Sequence, residues 1–355
     1  MSGPSQVFVI AEAGVNHNGS LELALQLVDA AASAGADAVK FQTFRAERLA
    51  VKSAPKAEYQ KRETGTGESQ LEMLKALELS PEAHRALIAR CADRGIEFMS
   101  SPFDEESLAL LVSLGVRRLK LGSGELTNAP LLLVAARSGV PVIISTGMAT
   151  LDDVESALGV LAFGMSGNQE PPSRDAFRKA WADPAAADVV RRRVIVLHCT
   201  TEYPAPRDQA NVRAMASMAQ RYGVPCGFSD HTVGDEASLA AVALGAVVIE
   251  KHFTLDRNMT GPDHKASLEP AALTELVKLV RAVGESLGDG AKVPMPAEQA
   301  NTPIARKSLV AARPIVKGAR LTADDIAIKR PGSGRTPFDY WDVLGSVASH
   351  DYDVD

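Results

Sequence analysis

Residues 247–253 read Val-Val-Ile-Glu-Lys-His-Phe. The first three are β-branched and apolar, as expected of a strand buried on both faces. An acid, a base and a histidine follow without a break: Glu250, Lys251 and His252. Buried charges are costly unless they are paired, hydrogen-bonded or bound to a metal. An apolar strand ending in three such groups therefore predicts that its C-terminal end meets a polar site.

The same texture recurs upstream. Comparable runs lie at 7–14, 36–43, 95–102, 116–125, 140–147, 193–200, 224–231 and 246–253. Helical patterns follow them, beginning near Leu21, Pro81, Glu106, Ala129, Leu151, Asn211, Asp235 and Glu269. Strands alternating with helices imply a parallel sheet with helical crossovers. Eight such units predict a closed (β/α)8 TIM barrel, an α/β fold that can occupy about 250 residues as one domain. An open doubly wound sheet is the runner-up, but no Gly-x-Gly-x-x-Gly turn follows the first run.

Two stretches interrupt the alternation. Residues 45–75 form a long polar segment after the second strand, and 164–190 form one rich in Gly, Pro and charge before the sixth. Connections of this length read as lids or as spacers without fixed structure. The first belongs to the strand C-terminal face; the second belongs to the opposite face and receives no catalytic role. The boundaries expected are 1–287 for the barrel, 288–302 for a Pro- and Gly-rich linker, and 303–355 for a small β-rich domain. A domain of about 50 residues has a marginal core, so it is expected to pack on something else.

The chain has 355 residues, 46% hydrophobic and 23% charged, which is ample for a large core. A formal net charge of −6 argues against general nucleic-acid binding and means that an anionic substrate needs local cations. The three cysteines, Cys91, Cys199 and Cys226, show no paired spacing and suggest a reducing compartment. No apolar run approaches the roughly 18 residues of a membrane span. A cytoplasmic protein that does not engage a membrane is expected.

Barrel active sites lie at strand C-terminal ends, and here those ends are polar throughout. They carry Glu12; Lys40 and Gln42; Ser100 and Ser101; Lys120, Ser123 and Glu125; Ser145 and Thr146; His198, Thr200, Thr201 and Tyr203; Ser229, Asp230 and His231; and Glu250, Lys251 and His252. All are expected to open onto the mouth. Taken singly, each has an ordinary reading as an ion-paired lysine or a hydrogen-bonded core histidine. Lys40, Lys120 and the hydroxyls suit phosphate and carboxylate groups, although lysine–glutamate pairing across the mouth is equally compatible. His231 and His252 fall on adjacent strands and could share a divalent metal, or be two unrelated core histidines. In "NHNGS" (16–20), Asn18 or Ser20 is expected to cap the helix beginning at Leu21.

Ten segments together resemble the sialic acid (nonulosonic acid) synthase family. They are "IAEAGVNHNG", "DAVKFQTF", "SSPFD", "LKLGSGE", "ISTGM", "LHCTTEYPAP", "FSDHT", "IEKHFT", "GPDHKASLEP" and "VKGARLTADDIAIKRPGSG". The resemblance implies a TIM barrel followed by a C-terminal antifreeze-protein-like (SAF) domain. It implies an enzyme that condenses phosphoenolpyruvate with an N-acylated mannosamine-type sugar. It further implies a domain-swapped homodimer, in which one chain's small domain covers its partner's barrel mouth.

Matched by motif, His231 and His252 resemble the ligands of a divalent metal, usually Mn2+, with Mg2+ or Co2+ as alternatives. Lys40, Ser101, Lys120, Ser123, Ser145 and Ser229 resemble the phosphoenolpyruvate site. Glu12, Gln42, Tyr203, Glu250 and Asp263 resemble groups contacting the sugar, and Arg330 resembles an arginine that reads its N-acetyl group. Glu12, Lys40, Lys120 and Glu250 are the catalytic candidates. Thr201 stands where the best-known N-acetylneuraminate branch has asparagine, so the resemblance implies that the amide contact to phosphate is replaced by a hydroxyl or lost. "SAPKAEYQ", "CTTEYPAP", "TLDRNMTGPDHKASLEP" and "IARKSLVA" look more like legionaminate synthases. The sugar candidates are N-acetylmannosamine and 2,4-diacetamido-2,4,6-trideoxymannose. A related phosphoenolpyruvate–aldose synthase would lack residues 303–355, and a non-catalytic carbohydrate-binding barrel would not need the lysine, histidine and glutamate array.

Overall fold

A computed structural model describes residues 6–56, 61 and 69–355. Contacts divide the chain into two compact units, 1–289 and 290–355.

The first unit contains eight parallel strands in the order β3-β2-β1-β8-β7-β6-β5-β4. They are β1 (Phe8–Gly14), β2 (Ala38–Thr43), β3 (Glu97–Pro102), β4 (Leu119–Leu121), β5 (Val142–Ser145), β6 (Val194–His198), β7 (Cys226–Asp230) and β8 (Val248–His252). The first strand pairs with both the second and the last, and β3 and β4 adjoin at the two ends of this order, so the sheet curls into a barrel. Helices connect consecutive strands, with local signals at their ends. Ser20, Ser80 and Asp104 accept from backbone amides as N-caps, and Pro81 occupies the first turn after Ser80. Gly95 and Gly223 end their helices in the left-handed conformation that glycine adopts without steric cost. Asn18 is not the cap; its side chain reaches instead to the carbonyl of Thr260.

The strand pleat divides the core in two. Ile10, Ala38, Met99, Ile143, Leu197 and Val248 form a small apolar layer inside the barrel. Residues of opposite parity, such as Val9, Val39, Phe41, Val196 and Ile249, join the large core between strands and helices. The inner layer closes the barrel beneath the mouth.

The segment 164–190 departs from the reading as an open spacer. Helices Arg174–Ala182 and Pro184–Arg193 occupy most of it. Phe177 meets Phe163 edge-on at 5.2 Å, and Ala176, Ala180, Ala186 and Val190 join the main core. The Gly/Pro signal marked only the entry to these helices; the alanine stripe carries their burial. Of the polar segment 45–75, short helices Ala46–Leu49 and Gln70–Ala76 are described, while 57–60 and 62–68 fall outside the described residues. Among the described residues no helix is long and apolar enough to cross a membrane.

The second unit contains an antiparallel pair, β9 (Ser308–Ala311) and β10 (Ile326–Lys329). Ile315, Leu321, Val343 and Ala348 are its buried core, a small cluster as the length implied. Asp325 fixes the turn before β10 by accepting from Thr322 N and Oγ1 and pairing with Arg313 at 2.7 Å.

Candidate active site

Parity also sorts the polar strand ends. Two residues above the inner apolar layer come Glu12, Lys40, Ser101, Ser145, Cys199 and Glu250, so successive inward positions change from apolar to polar. Gln42, Lys120, Thr201, Ser229, His231 and His252 share this inward parity. Ser100, Asp230 and Lys251 point the other way, which corrects the expectation that every polar strand end opens on the mouth. Ser100 bonds Thr43 Oγ1 at 2.6 Å, and Thr43 meets His84 at 2.8 Å, within the outer wall. His198 Nε2 donates to Ala210 O at 2.9 Å, on the same outer side. Lys251 pairs with Asp230 at 2.8 Å and donates to the carbonyls of Thr232 and Gly234. The three groups at the end of β8 therefore split: Glu250 and His252 enter the site, and Lys251 braces the wall behind it.

At the base of the mouth lie two lysines and two glutamates. Lys40 Nζ is 2.7 Å from Glu12 and 3.6 Å from Glu250, and it donates to Ser101 Oγ at 3.2 Å. Lys120 Nζ is 3.1 Å from Glu250. Ser229 donates to Glu250 Oε1 at 2.7 Å, and Gln42 reaches Glu12 Oε1 at 3.5 Å. The lysine–glutamate pairing considered from sequence is present, and it holds all four charged groups in one cluster. With both glutamates ionised their charges balance, so burial is tolerated while each side chain stays directed inward.

The cluster sets protonation. Burial pushes the Glu12 carboxyl up, to about 7, with the Glu250 carboxylate adding to it and Lys40 opposing. Burial also disfavours charge on Glu250, but Lys120 and Lys40 outweigh it and hold this carboxyl well below its ordinary range. Two carboxylates of one cluster thus acquire different proton affinities, the arrangement that suits one of them to proton transfer.

At and just beyond the C-terminal ends of β4, β5 and β6 the lining is hydroxylic. Ser123 Oγ accepts from Gly147 N at 2.9 Å and lies 3.1 Å from Cys199 Sγ. The hydroxyls of Ser145 and Thr201 are buried without a hydrogen-bond partner. A Cβ on Gly147 would fall 2.0 Å from Thr201 Oγ1 and 2.8 Å from Ser123 Oγ, so only glycine leaves this recess open. Free hydroxyl donors next to an ammonium group form a cradle for an oxyanion. Gly147 and Cys199 received no assignment from sequence; inward parity with Leu197 identifies Cys199, whereas nothing short of the packing identifies Gly147.

On the other side of Glu250 stand the histidines. The rings of His231 and His252 are 5.4 Å apart, and Tyr203 lies 4.3 Å from the first and 5.4 Å from the second. His231 Nδ1 meets Thr200 O at 2.6 Å, which leaves Nε2 carrying the lone pair. Burial lowers the His231 pKa to about 4; burial, followed by the neighbouring His231, lowers that of His252 well below its usual value. Both rings are therefore neutral at physiological pH. Nδ1 of His252 is buried without a hydrogen bond, with Asp263 3.9 Å away. Two neutral imidazoles, one oriented by a backbone carbonyl, are a donor set that fits a divalent metal. Among the described residues no set of three or more His, Cys, Asp or Glu could hold a metal ion. Water or substrate oxygens would have to complete the shell.

Thus Glu12, Lys40, Gln42, Ser101, Lys120, Ser123, Ser145, Thr201, Tyr203, Ser229, Glu250, His231, His252 and Asp263 belong to one barrel unit, gathered at its mouth by strand parity and the loops that follow. Arg330 belongs to the second unit, where it is exposed just after β10.

Comparison with known proteins bears on this constellation. Residues 27–292 match the NeuB family and residues 306–351 match the SAF domain. The chain belongs to the NeuB family. It is 45% identical over 350 residues to the N,N'-diacetyllegionaminic acid synthase of Campylobacter jejuni, covering 99% of this chain and 98% of that protein. The protein of the same name from Legionella pneumophila is 44% identical over 342 residues, covering 96% and 90%. The crystal structure of N-acetylneuraminic acid synthetase from Leptospira borgpetersenii superposes with a TM-score of 0.67 at 34% identity, covering 83% of this chain and 90% of that one. A TIM barrel followed by a SAF domain is therefore the architecture of this NeuB-family chain.

Proposed function

We propose that this chain is a nonulosonic acid synthase that condenses phosphoenolpyruvate with 2,4-diacetamido-2,4,6-trideoxymannose, giving N,N'-diacetyllegionaminate and phosphate. The observation that carries the reading is 45% identity to a legionaminic acid synthase along both chains. The mouth supports it, because it offers cations and free hydroxyls for an anionic substrate beside a carboxylate and histidine cluster for a polyhydroxylated one.

In this reading Lys40, Lys120, Ser101, Ser123, Ser145, Thr201 and Ser229 hold the phosphate and carboxylate of phosphoenolpyruvate. Gln42, Tyr203, Glu250 and Asp263 orient the sugar so that its aldehyde faces the enol carbon. His231 and His252 would hold a divalent metal, Mn2+ in preference to Mg2+ or Co2+, and a metal there would supply Lewis-acid polarisation of the aldehyde oxygen. C3 of phosphoenolpyruvate forms the new bond to the aldehyde carbon, leaving cationic character at C2. The Glu250 carboxylate, 3.1 Å from Lys120, stays ionised and offsets that charge. Glu12 takes a proton from the water that adds at C2. The resulting tetrahedral centre breaks its C2–O bond to phosphate, the C2 hydroxyl proton leaving with the phosphate, which gives the 2-keto acid. The former aldehyde oxygen gains the proton taken from water and becomes a hydroxyl.

The small domain has a role in the same reading. Phe338 is 91% exposed and Trp341 76%, an apolar surface suited to a second copy of the chain. In a domain-swapped homodimer, Arg330 of one chain would present its planar donor fork to the N-acyl carbonyl of sugar bound in its partner. The three cysteines are free and buried, which accords with the reducing cytoplasm in which we place the enzyme.

The test is incubation with phosphoenolpyruvate, Mn2+ and each candidate sugar in 18O-water, read by mass spectrometry. The expected result is a nonulosonic acid from the diacetamido sugar, with 18O at C2 of the product and none in the phosphate. Turnover of N-acetylmannosamine alone would change the sugar assignment. No product from either sugar would remove the reading.

A further inference from the structure

Asp263 sits on the connection between β8 and the helix Pro270–Leu287. That connection returns to the sheet through a bridge between Phe253 and Leu268. Asp263 directly precedes a single 3-10 turn, His264–Ala266, whose end it caps without a side-chain hydrogen bond, and Arg257 donates to Lys265 O within that turn. These local contacts shape the turn but do not join it to the barrel mouth. Such a loop requires ties from elsewhere to hold one side chain against a site.

The ties come from the opposite end of the sequence. The Nδ2 group of Asn16 uses both hydrogens, donating to Phe253 O at 2.8 Å and to Ser267 Oγ at 3.0 Å. Ser267 Oγ in turn donates to the backbone carbonyl of Asp263 at 2.6 Å. A second tie runs through Asn18, whose Nδ2 donates to Thr260 O at 2.9 Å while Oδ1 meets His264 Nε2 at 3.2 Å. The other nitrogen of His264 contacts Thr254 Oγ1 at 2.7 Å. Asn16 is 1% exposed and His264 is fully buried. Packing here is close: a Cβ on Gly261 would lie 2.6 Å from the His264 ring and 2.7 Å from Asn18 Oδ1.

We infer that Asn16 and Asn18 are positioning residues that, through Ser267 and His264, set the Asp263 loop against His252 for sugar binding. The two ties grip the loop on either side of Asp263, at Thr260 and at 264–267. They link the first strand-to-helix loop of the barrel to the last. This also accounts for the amides in "NHNG", which do not cap the following helix. The phosphate cradle is built on other strands, at Lys120, Ser123, Ser145 and Thr201, so the strut acts on one substrate and not on the other.

The inference rests on the proposed function, and its test separates the two. Steady-state kinetics of Asn16→Ala, Ser267→Ala and Ser267→Thr should be measured with each substrate varied in turn. The expected result for Asn16→Ala and Ser267→Ala is a fall of about tenfold in kcat/KM for the sugar, with KM for phosphoenolpyruvate within about twofold of wild type. Ser267→Thr keeps the hydroxyl and should stay near wild type. In an Asp263→Asn background, where the loop no longer presents a carboxylate, Asn16→Ala should have little further effect on the sugar parameter. Equal changes for both substrates, no change, or an undiminished effect in the Asp263→Asn background would each overturn the inference. If Asn16→Ala does not fold, Ser267→Ala and Asn18→Ala decide the question. Wild-type protein inactive with both sugars would instead remove the functional reading on which the sugar measurement depends.

Discussion

Replacing Lys251 by Met tests the division of β8 into site and wall. Met preserves the unbranched stem and removes the ammonium group. That group makes three contacts, 2.8 Å to Asp230 Oδ2, 2.7 Å to Thr232 O and 2.8 Å to Gly234 O, so all its hydrogens are used. Both side chains of the pair are buried, at 2% and 0% exposure. Removing one partner from such a pair costs about 3–5 kcal/mol, because the other charge stays buried. Asp230 keeps three donors, Thr232 N at 2.8 Å, Thr232 Oγ1 at 2.7 Å and Ser238 Oγ at 2.6 Å, which places the expected loss near the lower end. We expect a loss of about 3 kcal/mol, or roughly 6 °C in Tm at about 2 °C per kcal/mol for a unit of this size. Adding Asp230→Asn should restore about 1–2 kcal/mol by removing the stranded charge. The assay is denaturant unfolding of the metal-free protein, with calorimetry for Tm. A Lys251→Met protein within about 0.5 kcal/mol of wild type would refute the reasoning, since surface substitutions behave that way.

Two further outcomes follow from the site. His252→Ala should abolish stoichiometric Mn2+ binding, measured by electron paramagnetic resonance, with the metal-free circular dichroism spectrum unchanged; retained stoichiometric binding would place the metal elsewhere. Glu12 has a folded-state pKa raised to about 7, so it is protonated on the acid side and gains base character as pH rises; kcat/KM should therefore climb through an acid limb near 7. For stability the sign is opposite: a raised carboxyl pKa favours the folded state at low pH, and that contribution is lost between about 4.5 and 7. A pH profile flat across this range would remove Glu12 from proton transfer.

The sequence by itself determined the barrel. Strand-length apolar runs alternating with helical patterns leave few topologies, because parallel neighbours need crossovers and crossovers have one hand. It also determined the chemistry available at the mouth, since polar groups recur where each apolar run ends. The cap before Leu21 was legible as Asn18 or Ser20, and the structure selects Ser20.

Only the tertiary structure decided which polar groups face the substrate. Glu250 and Lys251 are neighbours in sequence, but the pleat sends successive side chains to opposite faces, so one enters the mouth and the other the wall. That assignment depends on which parity faces the barrel axis, and a fully apolar strand does not record it. The same limit hid the helices of 174–193, whose burial depends on a partner surface at Phe163. It also hid the partnership of Asn16 with Ser267, which lie 251 residues apart and meet only when the last strand closes on the first. Local spacing encodes what a segment can form; long-range closure chooses what each side chain touches.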